Sequence, residues 1–131
     1  MISYRLILEA AAITGLAVAF VAAAGRWSTA TVLYAALSAA ALLLAWRALC
    51  NLVGLNDDYM PLVSIGDTGC LVAGALGPAL CSRIPGAAKD RWWLPAVAGG
   101  GVCLIFCHFE HVRLCCLQEV NMFNRRNWRW I

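Results

Sequence analysis

Apolar residues in this chain fall into four runs, each long enough to form a membrane-spanning helix. The runs cover approximately residues 6–24, 29–53, 61–81 and 92–109. A helix needs about 20 mainly apolar residues to cross a hydrocarbon core roughly 30 Å thick. The links between the runs are short, so consecutive helices should be antiparallel neighbours. We therefore predict an all-α integral membrane protein of one domain, residues 1–131, whose four transmembrane helices form two antiparallel hairpins.

The pattern changes after the fourth run, where apolar residues recur at three-or-four spacing between Phe109 and Phe123. Such spacing is typical of an amphipathic helix. The chain then ends in a basic segment that also contains two tryptophans. Basic and aromatic side chains favour the headgroup region of a bilayer. We therefore expect residues 110–131 to form an amphipathic and basic extension at the membrane surface.

The amino-acid composition indicates that part of the protein surface is in contact with lipid rather than water. The chain is 63% hydrophobic and only 13% charged, with ten Lys and Arg against seven Asp and Glu. Soluble domains have about 25% charged residues, so this chain has too few polar residues to cover a globular surface. A soluble enzyme and a nucleic-acid-binding module are therefore both excluded. We expect no enzymatic activity, and the lipid bilayer as the first partner.

The first run also resembles a secretory signal, because small residues precede Gly25 as they would a cleavage site. Glu9 interrupts its apolar region, which favours a retained first helix. Six basic residues fall on the side of the termini and four on the other side. Because basic residues favour the cytoplasm, we predict an inner or plasma membrane protein with both termini cytoplasmic.

Tryptophans mark both predicted membrane surfaces. Trp27, Trp92 and Trp93 fall at one surface, and Trp46, Trp128 and Trp130 fall near the other. Indole rings prefer the headgroup level, because one edge is apolar and the other carries a hydrogen-bond donor. All of these except Trp46 are the predicted interfacial anchors.

Ionisable residues within spans are costly, so each is a candidate for function. The candidates for a buried ion pair or polar vestibule are Glu9, Arg47, Asp67, His108, Glu110 and His111. Glu9 lies four residues after Arg5, which favours a local ion pair. Arg47 and Asp67 lie at similar depth on consecutive helices, so they are predicted to pair. Such a site is either a functional vestibule or an assembly seam; alternatively, the pair only fixes helix register, or Arg47 extends to the headgroups.

Seven cysteines are many for this length. Cys107, His111 and Cys115 share one helical face and offer sulfur and nitrogen ligands of a kind that binds zinc, copper or haem iron. The three residues extend over about 12 Å of helix, which is too long for one ion without a further segment. We therefore expect no cofactor and retain a metal or haem site as an alternative.

Three functions fit these features. Small size, short loops, Ala- and Gly-rich helices and a basic tail are typical of a self-associating protein that alters membrane permeability, such as a holin or small channel. The first alternative is a non-catalytic accessory or assembly subunit of a larger membrane complex. In either case small residues allow helices to approach closely in lipid, so the partners are further copies of this chain or other membrane subunits. The second alternative is a metal- or haem-handling membrane protein.

Overall fold

The computed structural model describes residues 4–54, 65–85, 87, 91–106 and 108–109 of the chain. Every regular element in this part is an α-helix, and none of the described residues forms a strand. The helices are α1, Tyr4–Ala24; α2, Thr29–Val53; α3, Ile65–Cys81; and α4, Trp93–Phe106. Two further residues, His108 and Phe109, are also helical. The predicted all-helical fold with four helices is confirmed.

Two of the helices are long and apolar enough to cross a membrane. They are α1, with 21 residues, and α2, with 25 residues. Helix α3 has 17 residues, and α4 is a shorter apolar helix over its described length. Insertion of α1 and α2 in a membrane is therefore consistent with their length and composition.

A Schellman motif ends α1. The Trp27 N–H donates to the Ala22 carbonyl at 3.1 Å, and the Arg26 N–H donates to the Ala23 carbonyl at 3.0 Å. Arg26 has a φ of 60°, and this left-handed position is usually occupied by glycine. The motif reverses the chain within four residues, which makes α1 and α2 a tight hairpin.

Ser28 begins α2 as its N-cap. The Ser28 Oγ accepts the Thr31 N–H at 3.3 Å, which satisfies one backbone donor of the first turn. Thr31 is buried, and its hydroxyl lies 2.7 Å from the Ser28 hydroxyl and donates to the Pro85 carbonyl at 3.4 Å. The start of α2 is therefore tied to the segment that follows α3.

Helices α1 and α2 pack antiparallel along their whole length. Ala11 and Leu43 share one buried cluster, while Ala22 and Ala35 share a second cluster at the opposite end. Higher numbers on α1 thus face lower numbers on α2. We call the end where α1 begins and α2 ends the Arg47 end, and the opposite end the Trp27 end.

Helix α3 packs antiparallel against α2 and shares buried clusters with both α1 and α2. At the Arg47 end, the Trp46 Nε1 donates to the Gly66 carbonyl at 3.0 Å. At the Trp27 end, the Ser38 Oγ lies 3.6 Å from the Cys81 Sγ. Between them, a Cβ at Gly77 would lie 2.7 Å from the Ser38 Oγ. A side chain at this position would therefore separate the helices.

Helix α4 closes the bundle against α3 and α1. A Cβ at Gly74 would lie 2.5 Å from the Gly99 carbonyl oxygen, and a Cβ at Gly99 would overlap the Gly74 carbonyl oxygen. The same Gly99 position faces Val18 of α1, whose Cγ2 would be 2.9 Å away. The backbones of α3 and α4 are therefore in direct contact, with α4 also lying against α1.

Pro78 provides a reason for the contact at Gly74. Proline has no N–H, so the carbonyl four residues earlier in a helix, that of Gly74, lacks its usual donor. This carbonyl is the one that faces Gly99. Cα–H groups of closely packed helices form weak hydrogen bonds with such carbonyls. The Gly74 carbonyl, which lacks its usual helical donor, therefore lies against the backbone of α4 at Gly99.

Small side chains fill the interior, and large apolar side chains face outward. Buried positions are occupied mainly by alanine, glycine and cysteine, with Val18 and Leu43 among the few larger residues. Outward residues include Leu16, which is 70% exposed, and Phe20, which is 77% exposed. In a soluble protein this distribution is normally reversed.

Candidate functional site

A buried polar group lies on the inner face of α2 at the Arg47 end. Arg47 is only 6% exposed and Asn51 only 7% exposed, and Cys50 beside them is fully buried. Arg47 and Asn51 are four residues apart, so they lie on one side of the helix. They continue the buried stripe that passes through Leu43. The inner face of α2 is therefore apolar along most of its length and polar in its last two turns.

Trp46 forms the outer edge of the same region. Its indole nitrogen is bonded to the Gly66 carbonyl, and its ring lies directly over Gly69, where a Cβ would overlap it. The tryptophan thus joins the end of α2 to the first turns of α3. Since the indole N–H already has an acceptor, the surface that Trp46 presents outward is apolar.

An apolar groove opens beside Trp46, between α2 and α3. It has a volume of about 630 Å³. Its lining consists of Leu42, Ala45, Trp46, Leu49, Thr68, Gly69, Val72, Ala73 and Leu76. Both helices contribute large apolar side chains to it, with Leu42 and Leu49 on α2 and Val72 and Leu76 on α3.

Arg5 and Glu9 form an ion pair on the outer face of α1. The Arg5 Nε donates to the Glu9 Oε1 at 3.0 Å, and the two side chains are 86% and 50% exposed. The expected local ion pair is therefore present. Glu9 points away from α2, because its neighbours Ala10 and Ala11 are the residues that face the interior. It does not join Arg47 inside the bundle.

The other vestibule candidates are described in part. Asp67 lies in α3 near Gly66, at the Arg47 end, but its side chain is outside the described residues. His108 is helical and exposed. Glu110 and His111 also lie outside the described residues, so the Arg47–Asp67 pair and the wider vestibule stay predictions.

The cysteine and histidine group also lies beyond the described part. Cys107, His111 and Cys115 are all outside it. Among the residues that the structure describes, no three His, Cys, Asp or Glu side chains are grouped closely enough to hold a metal ion. The four described cysteines are all buried, and the Cys81 Sγ lies beside the Ser38 hydroxyl.

Trp27 differs from the expectation of an exposed anchor. It is only 5% exposed and packs with Val18 and Ala22, because the Schellman motif turns it back onto α1. Its Nε1 is buried and has no hydrogen-bond partner among the described residues. Trp92 and Trp93 do face outward and are about half exposed. The two remaining predicted anchors, Trp128 and Trp130, lie outside the described residues.

Sequence reasoning missed two buried polar residues that position this region. Asn51 shares the inner face of Arg47, and its four-residue spacing from Arg47 is the signal that identifies it. Thr31 joins Ser28 to Pro85 across the Trp27 end. It has no comparable signal, because the bond depends on where the segment after α3 lies.

No protein-family model matches the sequence, and neither the curated proteins nor the solved structures yield a match. The function therefore has to be inferred from the helices and side chains themselves. Two features are most informative: the outward apolar surface, and a charged pair on that surface.

Proposed function

We propose that this chain is an integral membrane protein with four spans that self-associates and alters membrane permeability, as a holin or small channel does. The observation that carries the proposal is the distribution of residue sizes, with small residues inside and large apolar residues outside. Leu16, Phe20, Leu37 and Leu52 are all more than 60% exposed. In lipid these side chains are solvated by acyl chains, whereas in water they would form an aggregating surface.

Tight packing inside one bundle supports self-association as the route to permeability. The glycine contacts between α3 and α4, and between Gly77 and α2, bring backbones together across the centre. Among the described residues, Thr14 and Thr31 are the buried polar side chains between the Trp27 end and Leu43. A hydrated path through a single copy would need to open these contacts. A path between copies requires no such rearrangement.

The test is inducible expression in bacterial cells with a fluorescent reporter of membrane potential. We expect depolarisation to follow accumulation of the protein in the membrane fraction. Gly99→Ala, which disrupts the contact of α3 with α4, should reduce depolarisation at equal expression. Gly101→Ala is the matched control, since among the described residues no atom beyond its own helix backbone and chain neighbours lies within 4 Å of the added Cβ. It should depolarise cells as the native chain does.

Two outcomes would contradict the proposal. One is an unchanged membrane potential when the native chain is abundant in the membrane. The other is gentle detergent extraction that yields a stoichiometric complex with different membrane proteins and no homo-oligomer. The second result would favour the accessory-subunit alternative.

The proposed topology places both termini in the cytoplasm of a cell whose inner or plasma membrane holds the protein. The excess of basic residues on the side of the termini supports this orientation. Fusions of a reporter that is active only in the cytoplasm, placed at either terminus, should both be active. Activity at one terminus only would contradict an even number of spans.

A further inference from the structure

Two cysteines lie opposite each other beside the contact of α3 with α4. That contact brings Gly74 of α3 against Gly99 of α4. Cys70 lies one helical turn before Gly74, and Cys103 lies one turn after Gly99. Cys70 and Cys103 share one buried cluster, so α4 runs antiparallel to α3 and both turns lead toward the Arg47 end. The two cysteines therefore face each other across the two helices.

Small and apolar residues enclose both thiols. Cys70 and Cys103 are fully buried, in a cluster that also contains Ala11 and Leu43. A Cβ at Gly74 would lie 3.1 Å from the Cys103 Cβ, so the backbone of α3 approaches this cysteine closely. Both cysteines are free thiols. Two sulfur atoms from different helices are thus held together away from water.

An oxygen atom from α1 lies at the same level of the bundle. Val18 of α1 faces Gly99 of α4, and Ala11 of α1 shares the cluster of Cys103. Thr14 lies between Ala11 and Val18 on the buried face of α1, and is therefore at the depth of Cys103. It is fully buried, and its Oγ1 has no hydrogen-bond partner among the described residues. An unpaired buried hydroxyl is costly, and a bound ion would give this oxygen a partner.

We propose that Cys70 and Cys103 form a two-thiolate site for a soft metal ion with a filled d shell, Hg(II) in particular, with the Thr14 hydroxyl as a weak third donor. Soft ions favour sulfur ligands. Soft ions with a filled d shell also bind two thiolates in a linear arrangement, whereas a structural zinc site needs four ligands. The contact between α3 and α4 supplies the two sulfur ligands that linear coordination requires.

The apolar surroundings favour Hg(II) among the soft ions. Thiols lose their protons when they bind a metal, so two S–H bonds break, two S–Hg bonds form and two protons leave. The complex with Hg(II) is neutral. A complex with Cu(I) or Ag(I) would have one negative charge, which is costly in an apolar interior. Mercuric chloride is itself neutral, so it can reach the buried thiols through lipid.

The experiment measures the mercury that the purified full chain retains in mild detergent. The protein is loaded with mercuric chloride and then washed with excess glutathione, a monothiol that removes ions held by a single sulfur. An ion held by two preorganised sulfurs is retained, because release of one bond leaves the other in place. Elemental analysis should show that Cys70→Ser, Cys103→Ser and the double variant each retain one ion per chain fewer than the native chain.

Cys81→Ser is the matched control. Cys81 is also buried, but its Sγ lies beside the Ser38 hydroxyl at the Trp27 end. This variant should retain as much mercury as the native chain. The site is overturned if Cys70→Ser and Cys103→Ser retain as much as the native chain, or if only one of them loses an ion. An equal loss in Cys81→Ser shows only adventitious binding to buried thiols, and also overturns the site.

A second measurement uses the native chain, and therefore holds even where a serine variant fails to fold. An ion that joins α3 to α4 binds the folded bundle in preference to the unfolded chain, so Hg(II) should raise the dodecyl sulfate concentration needed for unfolding. An unchanged or lower concentration overturns the site. Both measurements are independent of self-association, so this site and the proposed function fail separately.

Thr14→Val tests the third donor. The substitution removes the hydroxyl and nearly keeps the shape of the side chain. The variant should lose mercury to glutathione several-fold faster than the native chain, because the ion then has only its two sulfur ligands. Loss at the native rate overturns the role of Thr14.

Discussion

Replacement of Gly99 by alanine is expected to destabilise the bundle, whereas the same replacement two residues later is not. The added Cβ at position 99 would overlap the Gly74 carbonyl oxygen and lie 2.9 Å from the Val18 Cγ2. Both neighbours are fixed, one as backbone and the other as a fully buried side chain. Overpacking of this kind costs about 1–3 kcal/mol. Alanine gains up to about 1 kcal/mol over glycine in a helix, which offsets only part of the cost.

Gly101 provides the internal reference, because in the described part of the chain a Cβ built there meets nothing within 4 Å apart from its own turn of helix. Gly101→Ala should therefore keep the gain in helix propensity and lose nothing to packing. Because both variants share this gain, they should differ by the packing cost, about 1–3 kcal/mol in the free energy of unfolding, or roughly fivefold to 150-fold in the equilibrium constant. The difference can be measured by adding dodecyl sulfate to the purified protein in mild detergent. Unfolding is monitored by far- and near-ultraviolet circular dichroism. Equal stability, or a less stable Gly101→Ala, would refute the close contact of α3 with α4.

Three further predictions concern local contacts, each measured by the same titration. Arg26→Gly should stabilise the protein by about 0.5–1 kcal/mol, because glycine adopts a left-handed φ without strain. Gly54→Ala should destabilise it, because Gly54 has a φ of 75°. If both substitutions changed stability in the same direction, this explanation would be wrong. Ser28→Ala should cost about 1 kcal/mol through loss of the α2 N-cap, and no measurable loss would argue against the cap. Trp46→Phe should cost about 0.5–1.5 kcal/mol, because the Gly66 carbonyl loses its donor; full retention of stability would show that this bond is dispensable.

The apolar runs along the sequence were sufficient to locate the helices of the described part. Helix α2 occupies the same residues as the second apolar run, because Ser28 and Gly54 provide a cap at each end. The Arg5–Glu9 pair followed from spacing alone, since both residues lie on one helix. Features of this kind depend on a few neighbouring residues, so sequence contains nearly all of the information needed.

Contacts between helices were much harder to predict. Trp27 is a residue type that is typical of membrane interfaces. The left-handed backbone conformation of Arg26 nevertheless turns its side chain into the interior. An arginine at that position gives no signal of a left-handed turn, because glycine usually occupies it. Similarly, Glu9 was grouped with Arg47 by depth, but the rotation of α1 about its own axis places the carboxylate outside. Depth can be counted along a helix, whereas rotation depends on which face packs best against its neighbours.

In the centre of the bundle the helices lie so close together that the size of a side chain matters more than its hydrophobicity. In a soluble core, mutation most often harms by leaving a void. Here the damaging direction is growth, since Gly74, Gly77 and Gly99 each lie against backbone atoms that cannot move aside. Away from these three glycines, exchanges among alanine, serine and cysteine change side-chain volume little and should be tolerated. In a library of random variants selected for membrane insertion, outward-facing positions should therefore accept many residue types. Buried positions should accept only small residues.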